Sequence, residues 1–161
     1  NEFKLGGVDA STITINEKTY IPGSSLKGKL RSLSNEQQQE EINKYFGGKN
    51  DDQGNLNMSN RILFSDLLLE GNEEKKDRNY FEIKYENSIT EDSEGEKMAT
   101  PRINKRTTSN LVFEGKVMIP QNNSGAEELL KKLLEELKQG YIGSNGSRGY
   151  GWVKEAELTK I

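Results

Sequence analysis

Residues 21–31 read IPGSSLKGKLR, and the parsing of this stretch decides the fold. Ile21 closes a β-branched run, and Pro22-Gly23 breaks it. Leu26, Leu30 and Leu33 then recur at helical spacing, with Ile42 and Tyr45 further on, so a helix opens here with Ser24 or Ser25 as its cap. Its middle, Asn35 to Glu41, is polar and is expected to be exposed or frayed; Gly47-Gly48 ends it. Upstream, Asn1 to Asp9 reads as a loop bent at Gly6-Gly7. Ser11 to Ile21 alternates β-branched residues around Asn16-Glu17-Lys18, which is a strand–turn–strand pattern.

Downstream, Lys49 to Asn60 is a polar linker, and Arg61 to Glu70 (RILFSDLLLE) reads as one strand. Gly71 to Asn79 is a charged, solvated turn before a short alternating strand, Tyr80 to Tyr85. Glu86 to Arg106 shows no period, with an acidic first half and a basic second half. A loop of about 20 residues inside a compact domain is normally functional or disordered. Leu111 to Ile119 (LVFEGKVMI) is a further strand. Ser124 then caps a helix in which Leu129, Leu130, Leu133, Leu134 and Leu137 form one apolar stripe, closed by Gly140. Tyr141 to Gly151 is a glycine-rich loop, and Trp152 to Ile161 is read as the last strand. With the hairpin and the short strand set aside as insertions, and one strand added before Asn1, the order is βαββαβ. That is an α+β, ferredoxin-like or RRM-like core. The first strand of such a core lies inside the sheet, so it is expected upstream of residue 1 or from another chain.

Composition narrows the chemistry. The 161 residues suit one domain, with 23 Lys+Arg against 26 Asp+Glu and a net charge of −3. Hydrophobic residues are 31%, charged residues 30%, and mean hydropathy is −0.89, so the core must be thin and much of the chain must face water or a polar partner. The absence of Cys excludes disulfides, thiolate nucleophiles and sulfur-based zinc sites. The absence of His excludes Ser–His–Asp triads and histidine general bases. Chemistry must rest on Asp, Glu, Lys, Arg, Tyr, Ser or a bound ion. No run approaches the roughly 18 apolar residues of a membrane span, and no secretory h-region is present, so a cytosolic protein is expected.

Two segments carry polar chemistry. Gly23 to Leu30 follows the phosphate-loop pattern G-x-x-x-x-G-K-[ST] until its last place, where Leu30 stands instead of the hydroxyl that binds Mg²⁺. This departure argues against an NTPase. A helix N-terminus with Lys27, Lys29 and Arg31 close by is a more economical reading, and a seat for a phosphate; the plainer alternative is a capped helix with solvated lysines. Gly143 to Gly151 (GSNGSRGYG) has four glycines in nine residues, which let a backbone approach a ligand closely. Arg148 adds a positive fork, and Tyr150 and Trp152 offer faces on which a base could stack. Taken alone, this loop would be a flexible turn.

Together, IPGSSLKGKLR and GSNGSRGYG resemble the RAMP superfamily of CRISPR proteins, and within it the repeated backbone subunit of type III-A (Csm) effector complexes. GGVDAS, RILFSD, FEIKYENSI and PRINKR extend the resemblance along most of the chain. It implies a single RRM-like domain over residues 1–161, with residues 86–106 as a thumb-like insertion. It implies copies lined up along a guide RNA that cut complementary single-stranded target RNA at regular intervals, beside other subunits of the complex and away from membranes. Asp9 matches the cutting residue, and the place where a metal would be held. Ser24, Ser25, Lys27, Lys29 and Arg31, with Gly146, Ser147, Arg148 and Gly149, match positions that hold the guide backbone. In the thumb-like segment, Met98, Pro101 and Ile103 would supply an apolar wedge beside Arg102, Lys105 and Arg106. The other reading is a purely structural RNA-binding subunit in which Asp9 is inert.

The composition is compatible with that chemistry. RNA carries its own nucleophile, the 2′-OH, and holding it in line with the phosphorus supplies much of the acceleration. Asp9 could accept the 2′ proton or hold a divalent ion, expected to be Mg²⁺. An exposed Asp has a pKa near ~3.9 and is a poor base, which favours the metal-holding role. The bland reading of Asp9 is a loop Asp bonded to its own backbone. The acidic residues are grouped (Glu36, Glu40, Glu41; Glu73, Glu74, Asp77; Glu91 to Glu96; Glu127, Glu128, Glu135, Glu136), leaving basic clusters at 27–31, 97–106 and 148. A basic track on an acidic protein is therefore expected.

Overall fold

A computed structural model describes residues 10–11, 13–15, 18–47, 60–70, 80–91, 93, 95–121 and 123–161. The chain divides into two compact units, one from residues 1–20 and 69–113, the other from residues 21–68 and 114–161. It passes between them within three strands, β3 (Lys18–Ile21), β5 (Leu67–Leu69) and β8 (Phe113–Glu114). Helices and mainly antiparallel ladders make the class α+β, as the sequence pattern implies.

The first unit contains β1 (Ala10–Ser11), β2 (Thr14–Ile15), β6 (Phe81–Glu91) and β7 (Lys97–Thr107). β2 and β3 form the expected antiparallel pair, with Thr14 opposite Thr19. β6 and β7 form an antiparallel ribbon from Phe81↔Thr107 to Glu91↔Lys97, and β1 joins β7 in parallel through Ala10↔Asn104 and Ser11↔Lys105. The expectation of an aperiodic loop over residues 86–106 is thus corrected: most of that stretch is strand. Directly opposed residues share a face. One face carries Ile83, Tyr85 and Ile89 with Ile103, Pro101 and Ala99; the other carries Glu82 and Glu86 with Arg106 and Asn104. Ile83, Tyr85 and Ile89 are 56%, 73% and 69% exposed, while Asn104 on the other face is 5% exposed, so the apolar residues do not mark the buried face and the strand is not legible. Pro101 further obscures it, and is tolerated because only β6 is paired with β7 at that point.

In the second unit, helices α1 (Gly23–Leu33) and α3 (Ser124–Leu137) pack around the antiparallel pair β4 (Leu63–Phe64) and β9 (Val117–Met118). Leu26 and Leu30 of α1 meet Leu129, Leu130, Leu133 and Leu137 of α3, together with Ile42, Tyr45, Phe46 and Ile62. The leucine stripe of α3 is buried as expected, with Leu134 half-buried at its edge. Its cap residue is Asn123, not Ser124, and the Asn123 carboxamide oxygen accepts from the Tyr45 hydroxyl at 2.8 Å.

α1 begins two or three residues earlier than expected, with Pro22 at the cap position and Ser24 and Ser25 inside the first turn. The Gly23 amide donates to Oδ1 of Asp66 at 2.9 Å, so a distant carboxylate replaces a serine cap. The helix also stops sooner, at Leu33. Asn35 takes an extended conformation and opens a 3₁₀ turn (Glu36–Gln38), bonded reciprocally to Gln38. A short α2 (Gln39–Ile42) and a π-turn (Asn43–Gly47) follow.

The two strands read from RILFSDLLLE and LVFEGKVMI are each broken in two. The Ser65 amide donates to the Lys116 carbonyl at 2.9 Å, and the Lys116 amide to Oγ of Ser65 at 2.7 Å. A Cβ on Gly115 would lie 2.9 Å from the Asp66 carbonyl oxygen, so the two breaks press backbone against backbone. Trp152 to Ile161 is not a strand either. Only Trp152 forms a bridge, to Tyr141, while Val153, Ala156 and Leu158 pack on the core. No helix among the described residues is long and apolar enough to cross a membrane.

Two glycines of α1 should respond with opposite signs. A Cβ at Gly23 would lie 2.6 Å from the Ser65 carbonyl oxygen, whereas nothing lies within 4 Å of one at Gly28. Gly23→Ala is expected to destabilise by about 1–3 kcal/mol through overpacking. Gly28→Ala is expected to stabilise by about 0.5–1 kcal/mol through helix propensity. Urea denaturation of both variants checks this, and two changes of the same sign would refute the packing of α1 on the Ser65-Asp66 break.

Candidate nucleic-acid interface

The first turn of α1 is less open to an anion than the sequence implies. Besides the Gly23 amide, the Ser25 and Leu26 amides donate to the Pro22 carbonyl, at 2.9 and 3.1 Å. The carboxylate of Asp66 already sits at the positive end of the helix. What this turn presents to solvent is its exposed serines, Ser24 and Ser25.

The cations of the motif divide between two sides of the helix, since positions two apart are rotated by about 200°. Lys27 and Arg31, one turn apart, share a side. Arg31 Nη1 donates to the Gly47 carbonyl at 2.7 Å. Arg61 approaches the same glycine: a Cβ there would lie 3.1 Å from the Arg61 guanidinium carbon. Gly47 has φ +88°, a conformation that favours glycine, and it ends the π-turn. The Ile62 amide donates to the Tyr45 carbonyl at 2.9 Å and ties the residue after Arg61 to that turn. Burial lowers the pKa of Lys27 from its ordinary 10.5, and Arg61 and then Arg31 lower it further by charge repulsion. Among the described residues no ion pair neutralises Lys27, Arg31 or Arg61. Three cations held together with no counter-ion among the described residues are suited to a phosphate. Arg61 is the residue that sequence reasoning missed. It opens a segment that reads as a strand, and only the bare Cα of Gly47 brings it to the cluster.

Lys29 leaves the other side of α1. Its ammonium lies 4.2 Å from the centroid of the Tyr141 ring, so the two motifs of the sequence meet in one unit. The glycine loop is ordered by left-handed backbone at Gly143, Asn145, Gly149 and Gly151 (φ +96°, +62°, +82° and +65°), around a 3₁₀ turn, Gly146–Arg148. Its stem is closed by Ile142 N–H to Gly151 O at 2.9 Å and Val153 N–H to Gly140 O at 3.1 Å. The amides of Arg148, Gly149 and Tyr150 bond inside the loop, so they do not point at a ligand. Ser147, Arg148 and Gly149 are exposed, and Gly146 is buried against the Tyr141 ring. Tyr150 is 8% exposed and offers no stacking face, whereas Trp152 is 70% exposed.

In the first unit, Arg106 Nε lies 2.6 Å from Glu82 Oε1, and Lys105 lies 4.3 Å over the Phe81 ring. Arg102 is half-buried opposite Glu86. Arg102 and Arg106 therefore share the charged face of the ribbon, and Lys105 the apolar one. The expected wedge is split likewise: Pro101 and Ile103 lie on the apolar face, and Met98 on the charged face. Asp9 lies outside the described residues. The residue after it, Ala10, pairs with Asn104. Among the described residues no group of three acidic side chains could hold a metal ion.

Comparison with known proteins gives a consistent result. Residues 6–154 match the model of the RAMP superfamily. A protein of Methanocaldococcus jannaschii named CRISPR system Cms endoribonuclease Csm3 is 32% identical, over 99% of this chain and 72% of its own length. Proteins of the same name from Streptococcus thermophilus and Enterococcus italicus are 32% and 30% identical, over 96% and 93% of this chain and 77% and 78% of theirs.

The cation cluster makes a titration prediction. Arg61→Gln removes a charge that depresses Lys27, so the Lys27 pKa should move up toward 10.5. In the parent protein, stability should rise with pH between the lowered folded value and 10.5, because the unfolded chain still holds a proton that the folded chain has lost. That rise should be shallower in Arg61→Gln. NMR titration of the Lys27 side chain checks the first expectation, and an unmoved Lys27 would separate Arg61 from the cluster.

Proposed function

This chain belongs to the RAMP superfamily, and we propose that it is the repeated, guide-RNA-binding backbone subunit of a type III-A (Csm) CRISPR effector complex and cuts the target RNA paired with that guide. The observation that carries this reading is the meeting of the two sequence motifs in one unit, where Lys29 of α1 lies over Tyr141 of the glycine loop. The name endoribonuclease, shared by relatives at 30–32% identity over at least 93% of the chain, supports the activity.

In this reading Ser24, Ser25, Lys27, Lys29 and Arg31, joined by Arg61, hold the guide backbone with Gly146, Ser147, Arg148 and Gly149. The chain acts as one RAMP domain over residues 1–161. Residues 86–106, most of the β6–β7 ribbon, serve as the thumb-like insertion, with Arg102, Lys105 and Arg106 on the guide–target duplex. Its partners are the guide RNA, single-stranded target RNA, further copies of itself and other subunits of the complex, in the cytoplasm.

Cleavage rests on Asp9. The 2′-OH of the target is the nucleophile, and the chain holds the nucleotide splayed so that this oxygen lies in line with the phosphorus. The products are a 5′-hydroxyl and a 2′,3′-cyclic phosphate. A divalent metal, Mg²⁺ in this reading, would be held by Asp9 together with RNA oxygens, and would supply charge stabilisation at the phosphate.

The first test is cleavage of end-labelled target RNA by guide-loaded complex with Mg²⁺. Regularly spaced cuts that vanish in Asp9→Ala while guide binding persists are expected. Cuts that persist would move catalysis elsewhere and leave this chain as scaffold. A second expectation concerns the cations. Lys27→Ala, Arg31→Ala and Arg61→Ala should each weaken guide binding evenly across sequences and lower the salt slope by about 1. Filter binding at several salt concentrations measures it, and an unchanged slope would remove that side chain from the phosphate track.

A further inference from the structure

Trp152 is the single tryptophan of the 161 residues, and its indole remains 70% exposed. Large aromatic side chains are normally drawn into a core, because they bury more apolar area than any others. This one makes a hydrogen bond at the surface: Nε1–H donates to the Gly146 carbonyl at 3.0 Å. The bond fixes the ring against the glycine loop, whose backbone is itself fixed by the left-handed residues and the stem.

Trp152 is bridged antiparallel to Tyr141, so the two aromatic side chains leave the same face of the stem. The Tyr141 ring is engaged by the Gly146 backbone and by the Lys29 ammonium. The indole face is therefore the open aromatic surface of this pair, and the Lys29 ammonium lies over the ring of its bridge partner. Other exposed residues of the loop and its exit are polar or charged: Ser144, Ser147, Arg148 and Lys154, with the one carboxylate of Glu155 following them. An aliphatic protein surface finds no complement in them. A flat π-face beside a cation fits one nucleotide, with the base on the indole and the phosphate toward Lys29.

We propose that Trp152 is a stacking platform for a base of the bound single-stranded RNA. The proposal rests on the guide-binding reading of the glycine loop and adds a base contact to a set of backbone contacts. The hydrogen bond to Gly146 makes the platform rigid, so stacking loses little conformational freedom on binding. Stacking of this kind reads no sequence, because every base presents a π-face.

The test is a cycle between the side chain and the base. The full-length protein, as wild type, Trp152→Ala and Trp152→Phe, is titrated with single-stranded RNA and with an abasic tetrahydrofuran strand of equal length. Trp152→Ala should weaken RNA binding about tenfold and leave binding of the abasic strand unchanged. Trp152→Phe should retain most of the RNA affinity. Equal weakening toward both strands would overturn the proposal and make Trp152 a support for the loop. Unchanged affinity for both, with poorer association of the subunit with its further copies, would overturn it in favour of a protein contact. If the wild type binds neither strand, the guide-binding reading falls as well, which separates the two failures.

Discussion

The second unit depends on one contact, the carboxylate of Asp66 on the Gly23 amide at the head of α1. Three things follow from it. The helix starts without a serine cap, because a carboxylate already compensates its first amide and its positive end. The segment RILFSDLLLE cannot run as one strand, because Asp66 turns its side chain to the helix while Ser65 bonds Lys116. The helix axis is also brought against the backbone at Ser65, which only a residue without Cβ at position 23 allows. Lys27 and Arg31 are carried on that axis, so the direction in which the cation cluster faces is set at Gly23.

Legibility followed locality. The leucine stripe of α3 and the β2–β3 pair could be read from neighbouring residues, because the signal lay in periodicity within a short window. The strand breaks at Ser65-Asp66 and Gly115-Lys116 could not, because each is made by the other and by α1. The ribbon of β6 and β7 escaped for a different reason. A ribbon whose apolar residues are exposed and whose buried residue is the polar Asn104 offers no hydrophobic alternation to read, and Pro101 pointed the wrong way. The site shows the same division. Lys27, Lys29, Arg31 and the glycine loop were visible as motifs, but Arg61 reaches the cluster through the left-handed backbone of Gly47. Tyr150 and Trp152 are two residues apart with similar chemistry. Only the course of the loop decides that one is buried and the other exposed. Asp9 was reached through resemblance alone.

The electrostatic arrangement reconciles an acidic chain with an anionic partner. Many of the acidic residues described lie on exposed helical faces, where pairs such as Glu127–Lys131 and Glu128–Lys132 compensate them. Such exposed pairs contribute little to stability, on the order of 0–1 kcal/mol. Lys27, Arg31 and Arg61 repel one another in the folded chain.

The ribbon of β6 and β7 has a further consequence for how the protein is handled in the cell. Beyond its pairing with β1 the ribbon is two-stranded, which is marginal in water, and it displays Ile83, Tyr85 and Ile89 to solvent. Segments with few buried apolar contacts open more readily than a packed core and are then reached by proteases. Burial of the ribbon's apolar face by an assembled complex would draw the open form back by mass action. A copy made in excess of its partners would be cleared faster than an assembled one.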